Sequence, residues 1–150
     1  MAMLLLNERT GELVANDVEL ASTRETRRKG LLGRESLSAE AALVLAPCCS
    51  IHTAFMRFPI DVAFVDRDGR VIRFVRDLKP WKIAVSLRAR AAIEFAAGSL
   101  RARDVRLGDR LYVSPVFETV VGVRLKASSA QLPASLRRMT AKPPELRTQN

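Results

Sequence analysis

Cys48, Cys49 and His52 lie within five consecutive residues, and they include both cysteines of the chain and its single histidine. Residues of these types can hold a metal, supply a thiolate nucleophile or recognise a ligand. A zinc site wants four groups converging as a tetrahedron, usually with two-residue gaps between sulfurs. Adjacent cysteines converge poorly, and a fourth ligand would have to be Asp61 or another carboxylate, so no metal site is expected. A thiolate nucleophile needs an imidazolium or a helix N-terminus beside it. Residues four apart on a strand share a face but stand about 13 Å apart. Cys48 and His52 therefore meet only if the chain bends between them, and two small, chemically quiet thiols are the stronger reading. A disulfide between neighbours closes a strained ring and is not expected.

Recognition suits the same stretch better. In extended backbone, His52, Ala54, Met56 and Phe58 line one side, and Thr53, Phe55 and Arg57 the other. The first side is a soft apolar surface with an imidazole, suited to a small cleft. The second offers a guanidinium able to clamp a carboxylate or phosphate. The alternative is that Met56 and Phe58 are core and Arg57 pairs with Asp61. Asp61 stands among Ile60, Val62 and Phe64, where a lone charge would be costly, so it must be paired or must cap backbone donors. Glu94 in "AIEFAAG" becomes a candidate general acid only if folding brings it beside Asp61 or His52. The candidate ligand-binding set is therefore His52, Thr53, Met56, Arg57 and Asp61, with no complete catalytic set and no cofactor. The leading expectation is a non-enzymatic binding or accessory domain for a small anionic ligand or a protein partner. The alternative is a small thiol- or carboxylate-based enzyme using Cys48 or Cys49, His52 and Asp61.

The chain has 150 residues, 48% hydrophobic and 27% charged, enough for one globular domain with a substantial core. Its net charge of +9 is unevenly spread: residues 1–47 carry −1, residues 48–115 carry +6 and residues 116–150 carry +4. Such an excess attracts phosphate or anionic surfaces. With one Trp and one Tyr for stacking and no recognised module, nucleic acid is the weaker partner. No apolar run approaches the ~20 residues of a membrane helix. The opening "MAMLLLNERTGEL" lacks a basic n-region and a cleavage site, so it is read as a first strand of a cytoplasmic protein.

The elements that must position these residues are short. "AMLLLN", "GELVAN" and "DVELA" read as strands. Ser22 with Glu25 has capping-box spacing for a basic helix over Thr23–Lys29, ended by Gly30. "AALVLAP" is a strand closed by Pro47. "FPIDVAFVD" and "RVIRFVRD" flank an Asp-Gly hairpin signal. A two-residue turn at Asp68 and Gly69 sets Phe64 against Arg73, and a longer loop sets it against Phe74. In "LKPWKIAVSL", Pro80 biases Lys79 toward extended backbone, and "AAIEFAAG" and "RLYVSP" add strands, with a helical turn in "SLRARD" and Trp81 an anchor at the rim of the core. The expectation is a mainly β (α+β) domain over residues 1–115. It would be a compact curled sheet or small β-barrel with one or two short helices, without βαβ alternation. Residues 116–126 are a candidate extra strand and residues 127–150 a basic, flexible tail.

"RRKGLLGRESL", "CCSIHTAFMRFPIDVAFVDRDGRV", "LKPW", "IEFAAG" and "VRLGDRL" follow one another in that order. Five ordered blocks over about residues 18–114 resemble the DUF192 family of bacterial and archaeal proteins. The resemblance implies a compact β-rich fold of its own type and no assigned activity. Many relatives carry a secretion signal, which is not expected here. Others have a Trp-Met-Lys-Asn version of the central block. Here His52, Thr53, Met56 and Arg57 replace it, so ligands do not transfer between the two branches.

Overall fold

The computed structural model describes residues 2–115 and Met139. The candidate strand at 116–126 lies outside the described residues, and so does the tail at 127–150 except for Met139. That residue is buried in the core beside Gly69 and Leu111.

The described chain is three layers. The middle layer is a five-stranded sheet, in the order β3 (Asp17–Ala21), β4 (Ala41–Leu45), β9 (Ala91–Ala96), β6 (Ile60–Val65), β7 (Val71–Leu78). A three-stranded sheet of β1 (Met3–Asn7), β2 (Leu13–Ala15) and β10 (Leu111–Pro115) shares a core with one face. On the other face lie the short helix α1 (Arg24–Lys29) and the two-stranded sheet of β5 (Ser50–His52) and β8 (Ile83–Val85). A second short helix, α2 (Ser99–Ala102), follows β9. Among the described residues no helix is long and apolar enough to cross a membrane.

The mainly β class with two short helices is as expected, but the sheets do not close into a barrel. β3 and β7 end the middle sheet at opposite edges without pairing. Covering layers on both faces remove apolar surface from water, so the sheet need not curl shut to do so. The parallel β3–β4 pair is a second departure. Its crossover runs through α1, so one strand–helix–strand unit is present after all.

The middle strands are buried on both sides and read as continuous apolar runs. Side-chain alternation divides them between two cores. Ala42, Val44, Ala63, Val65, Ile93 and Phe95 face the three-stranded sheet. Leu43, Leu45, Ile60, Val62, Phe64 and Ala92 face α1 and β5–β8. The hairpin sets Phe64 against Arg73, though by an unexpected route. The loop closes from Asp66 to Arg70, with Gly69 at φ 83°, and a bulge between Phe64 and Val65 restores the pairing.

A cleft beside helix α1

α1 is capped one residue later than the sequence pattern indicates. Thr23 is the N-cap and exchanges bonds with Thr26, and the Gly30 amide closes the helix on the Thr26 carbonyl at 3.0 Å. Its last turn is Arg27, Arg28 and Lys29, and none of its residues is buried. These three side chains form one wall of a cleft of about 460 Å³. Cys48 and Cys49, just before β5, and His52, at its end, form another, with Arg90 beside them. Leu31, Leu45, Met56 and Ala89 supply the apolar lining, and Glu94 of β9 reaches it from the sheet.

Strand parity decides which acids arrive there. Glu94 pairs with Leu43 on one side and Val62 on the other, so its side chain belongs to the α1 face. Asp61 pairs with Phe95 and projects from the opposite face. Its carboxylate accepts the amides of Asp77 at 2.9 Å, Gly98 at 3.0 Å and Leu100 at 3.2 Å. Asp61 is thus a buried brace joining β7 to the start of α2, and it is remote from the cleft.

Glu94 has no such support. It is buried, and its Oε2 has no hydrogen-bond partner among the described residues. Burial pushes its carboxyl up to about 7, while the positive charge of Arg34 pulls weakly the other way. Arg34 is itself held by Glu19 through bonds of 3.1 and 2.6 Å. A neutral carboxylic acid in this position is a hydrogen-bond donor aimed at whatever fills the cleft.

The remaining candidates divide. His52 is exposed on the cleft wall, and Met56 is buried in its lining. Thr53 is fully buried: its hydroxyl donates to the Lys79 carbonyl at 2.6 Å and accepts from the Lys82 amide at 2.9 Å. It ties two turns together and presents nothing to a ligand. Arg57 is exposed and pairs with Glu35 at 3.3 Å, not with Asp61, and it does not line the cleft. The reason is local. Residues 53–58 do not continue the strand, because the Met56 amide bonds back to the Thr53 carbonyl at 3.1 Å and Phe55 turns through φ 64°.

The bend does bring Cys48 and His52 to one cleft, but the thiol is not activated. Cys48 is half-buried and donates to the Ser50 carbonyl at 3.1 Å. Burial raises its pKa and outweighs the effect of that bond. A raised thiol is the opposite of what nucleophilic catalysis needs. Among the described residues no group of His, Cys, Asp and Glu is placed to hold a metal ion. The sequence reading missed the basic wall. Arg27, Arg28 and Lys29 were visible as a short basic helix, yet nothing in the spacing says that they face the thiols and Glu94.

The described residues thus form a three-layer α+β fold with a basic cleft over a buried acid. The chain belongs to the DUF192 family, described as uncharacterised, whose model matches residues 5–113. It is 30% identical over 129 residues to a UPF0127 protein of Thermococcus kodakarensis, covering 83% of this chain and 82% of that one. A UPF0127 protein of Pyrococcus furiosus is 32% identical over 111 residues, covering 71% of this chain and 95% of the relative. Two crystal structures share the fold, each with a TM-score of 0.64. One is a protein of unknown function from Novosphingobium aromaticivorans, 21% identical, covering 74% of this chain and 83% of that one. The other is a Sinorhizobium meliloti protein named as a candidate transcription regulator, 22% identical, covering 75% and 92%.

Proposed function

We propose that this protein is a non-enzymatic binding domain whose cleft beside α1 takes a small anion. The observation that carries this reading is the meeting of opposites in one pocket. Arg27, Arg28, Lys29 and Arg90 surround the opening, while the unpartnered Glu94 oxygen lies within. Guanidinium and ammonium groups supply the attraction and the geometry for phosphate or carboxylate oxygens. A protonated Glu94 adds a donor that an ionised one would replace with repulsion. The volume is that of a small-molecule site rather than of a macromolecular groove. His52 and Met56 keep their part in this reading. Thr53, Asp61 and Arg57 act on it only through the scaffold around them.

Thermal unfolding in increasing sulfate, with ionic strength held constant by chloride, tests the proposal. Binding to the folded state raises the melting temperature in a saturable way. Charge reversal at Arg28 and Lys29 should abolish the rise, and His52→Ala should weaken it. Equal rises in sulfate and chloride, or a rise unchanged in the reversed variant, would refute an anion site here.

A further inference from the structure

The outer side of the β5–β8 sheet is independent of the cleft and carries a different kind of surface. Ile83 and Val85 project outward from β8 while Ala84 points in. The turns that feed the two strands are held together by Thr53. Its hydroxyl contacts Lys79 and Lys82, and its carbonyl accepts the Trp81 amide at 3.0 Å. That clasp presents Phe55 and Trp81 side by side, with ring centroids 4.6 Å apart. Both sit in left-handed backbone, at φ 64° and 65°.

Bulky residues rarely adopt that conformation, which costs of order 1–3 kcal/mol at each site and persists only where surrounding bonds enforce it. Glycine or asparagine would make the same turns without strain. Phe55 is 73% and Trp81 64% exposed, and Ile83 and Leu87 beside them in the chain are 75% and 85% exposed. Beyond them Ile72, Val85 and Leu87 line a shallow hollow with Arg73 and Arg88. A run of protruding apolar side chains on this scale marks an interaction site.

The charge beside the strip is positive. Lys82 and Arg88 are exposed next to Trp81 and Leu87 and form no ion pair with a described carboxylate. Of the nearby acids, Asp77 and Glu35 are already paired, with Lys79 and Arg57. Asp66, which lines the hollow beside Arg73 and Arg88, is taken up by the Asp68 and Arg70 amides at 2.9 and 3.0 Å. From this juxtaposition we propose that the face docks on the surface of an anionic phospholipid bilayer. Phe55, Trp81, Ile83 and Leu87 enter the interface, and Lys82 and Arg88 meet the phosphates. Side chains that stand out by about two-thirds or more are shaped to penetrate a soft medium. Protein interfaces are depleted in Lys, whereas here the exposed Lys82 stands directly beside Trp81. Trp and Phe flanked by Lys and Arg have the amphipathic composition of a membrane interface.

Trp81 is the only tryptophan, so its fluorescence reports directly on this face. The full chain is titrated with phosphatidylglycerol-containing vesicles and, separately, with vesicles of phosphatidylcholine alone. The expected result is a blue shift and protection from acrylamide with the anionic vesicles only. Raising salt to about 1 M, where the Debye length falls to about 3 Å, should weaken both. In co-sedimentation, Phe55→Ala and Leu87→Ala should each lower partitioning about tenfold, from the lost burial of one large apolar side chain. K82E/R88E should lower it by about thirtyfold or more, since two attractive charges are lost and then reversed. These exposed substitutions leave folding intact, as circular dichroism will verify. No shift with either vesicle overturns the proposal, and so does an equal shift with both. A Trp81 already shielded without lipid, in a chain that sediments as a dimer, overturns it too and assigns the face to a second copy.

Discussion

Glu94 and Asp61 show how much of this protein is decided at a single side chain. In the sequence the two acids look alike, each a lone carboxylate in an apolar strand. The register of β6 against β9 sends them to opposite faces, where one receives three amides and the other none for its Oε2. The contrast has a measurable signature. Folded, Glu94 holds its proton to about pH 7, against 4.5 in an unfolded chain. Between those values the folded state binds more protons, so this contribution is complete below about 4.5 and is lost as pH rises through 7. Glu94→Gln should remove that slope and stabilise the protein above pH 7 by up to about 3 kcal/mol. Urea denaturation across the window will show it. The same group should govern sulfate affinity, which falls as Glu94 ionises. The Glu94→Gln variant, titrated with sulfate at each pH, will isolate this contribution, since sulfate does not itself titrate there.

At the scale of elements, the hydrophobic pattern located most strands to within a residue or two. β1, β4, β6, β7, β9 and β10 are long enough for their burial to show in composition. The turn at 53–56 was misread as extended because its apolar residues alternate convincingly, while the bonds that bend it come from elsewhere. The Thr53 hydroxyl finds its partners at Lys79 and Lys82, 26 and 29 residues away, and no local pattern encodes that. Thr53→Val keeps the shape but strands the Lys82 amide, and an unsatisfied buried donor costs about 1–3 kcal/mol. The loss should be local. Hydrogen exchange is expected to quicken at Lys82 and across β5 and β8 before it changes in β6 and β9. Equal quickening in both sheets would show that the clasp is part of the global core. The basic end of α1 illustrates the same limit. Its charges were plain in the sequence, but their facing cysteines and Glu94 depend on the crossover from β3 to β4.

For the whole molecule, the middle sheet separates support from recognition. Toward the three-stranded sheet it carries the larger core and the Asp61 brace, together with the buried Asp109. That carboxylate holds Asn7 at 2.7 Å and Arg9 at 2.7 Å and ties the two ends of the domain together. Burial alone would raise its pKa, but the Arg9 bond and the bonds to Arg106 and Asn7 hold it below the usual carboxylate range. Toward α1 and β5–β8 the sheet carries the cleft and the exposed aromatic face, with polar groups that the scaffold does not use. If that division is correct, substitutions on the two sides must fail in different ways. Asp61→Ala strands three amides and should cost about 3 kcal/mol or more, reducing sulfate binding only in proportion to the unfolded fraction. His52→Ala and Arg28→Ala alter a solvated wall and should change stability by no more than about 0.5 kcal/mol while weakening sulfate directly. Denaturation midpoints measured beside sulfate titrations at a temperature where each variant is fully folded decide the matter. A folded Asp61→Ala variant that no longer binds sulfate would show that the cleft is shaped through the sheet, and that the two faces are one device.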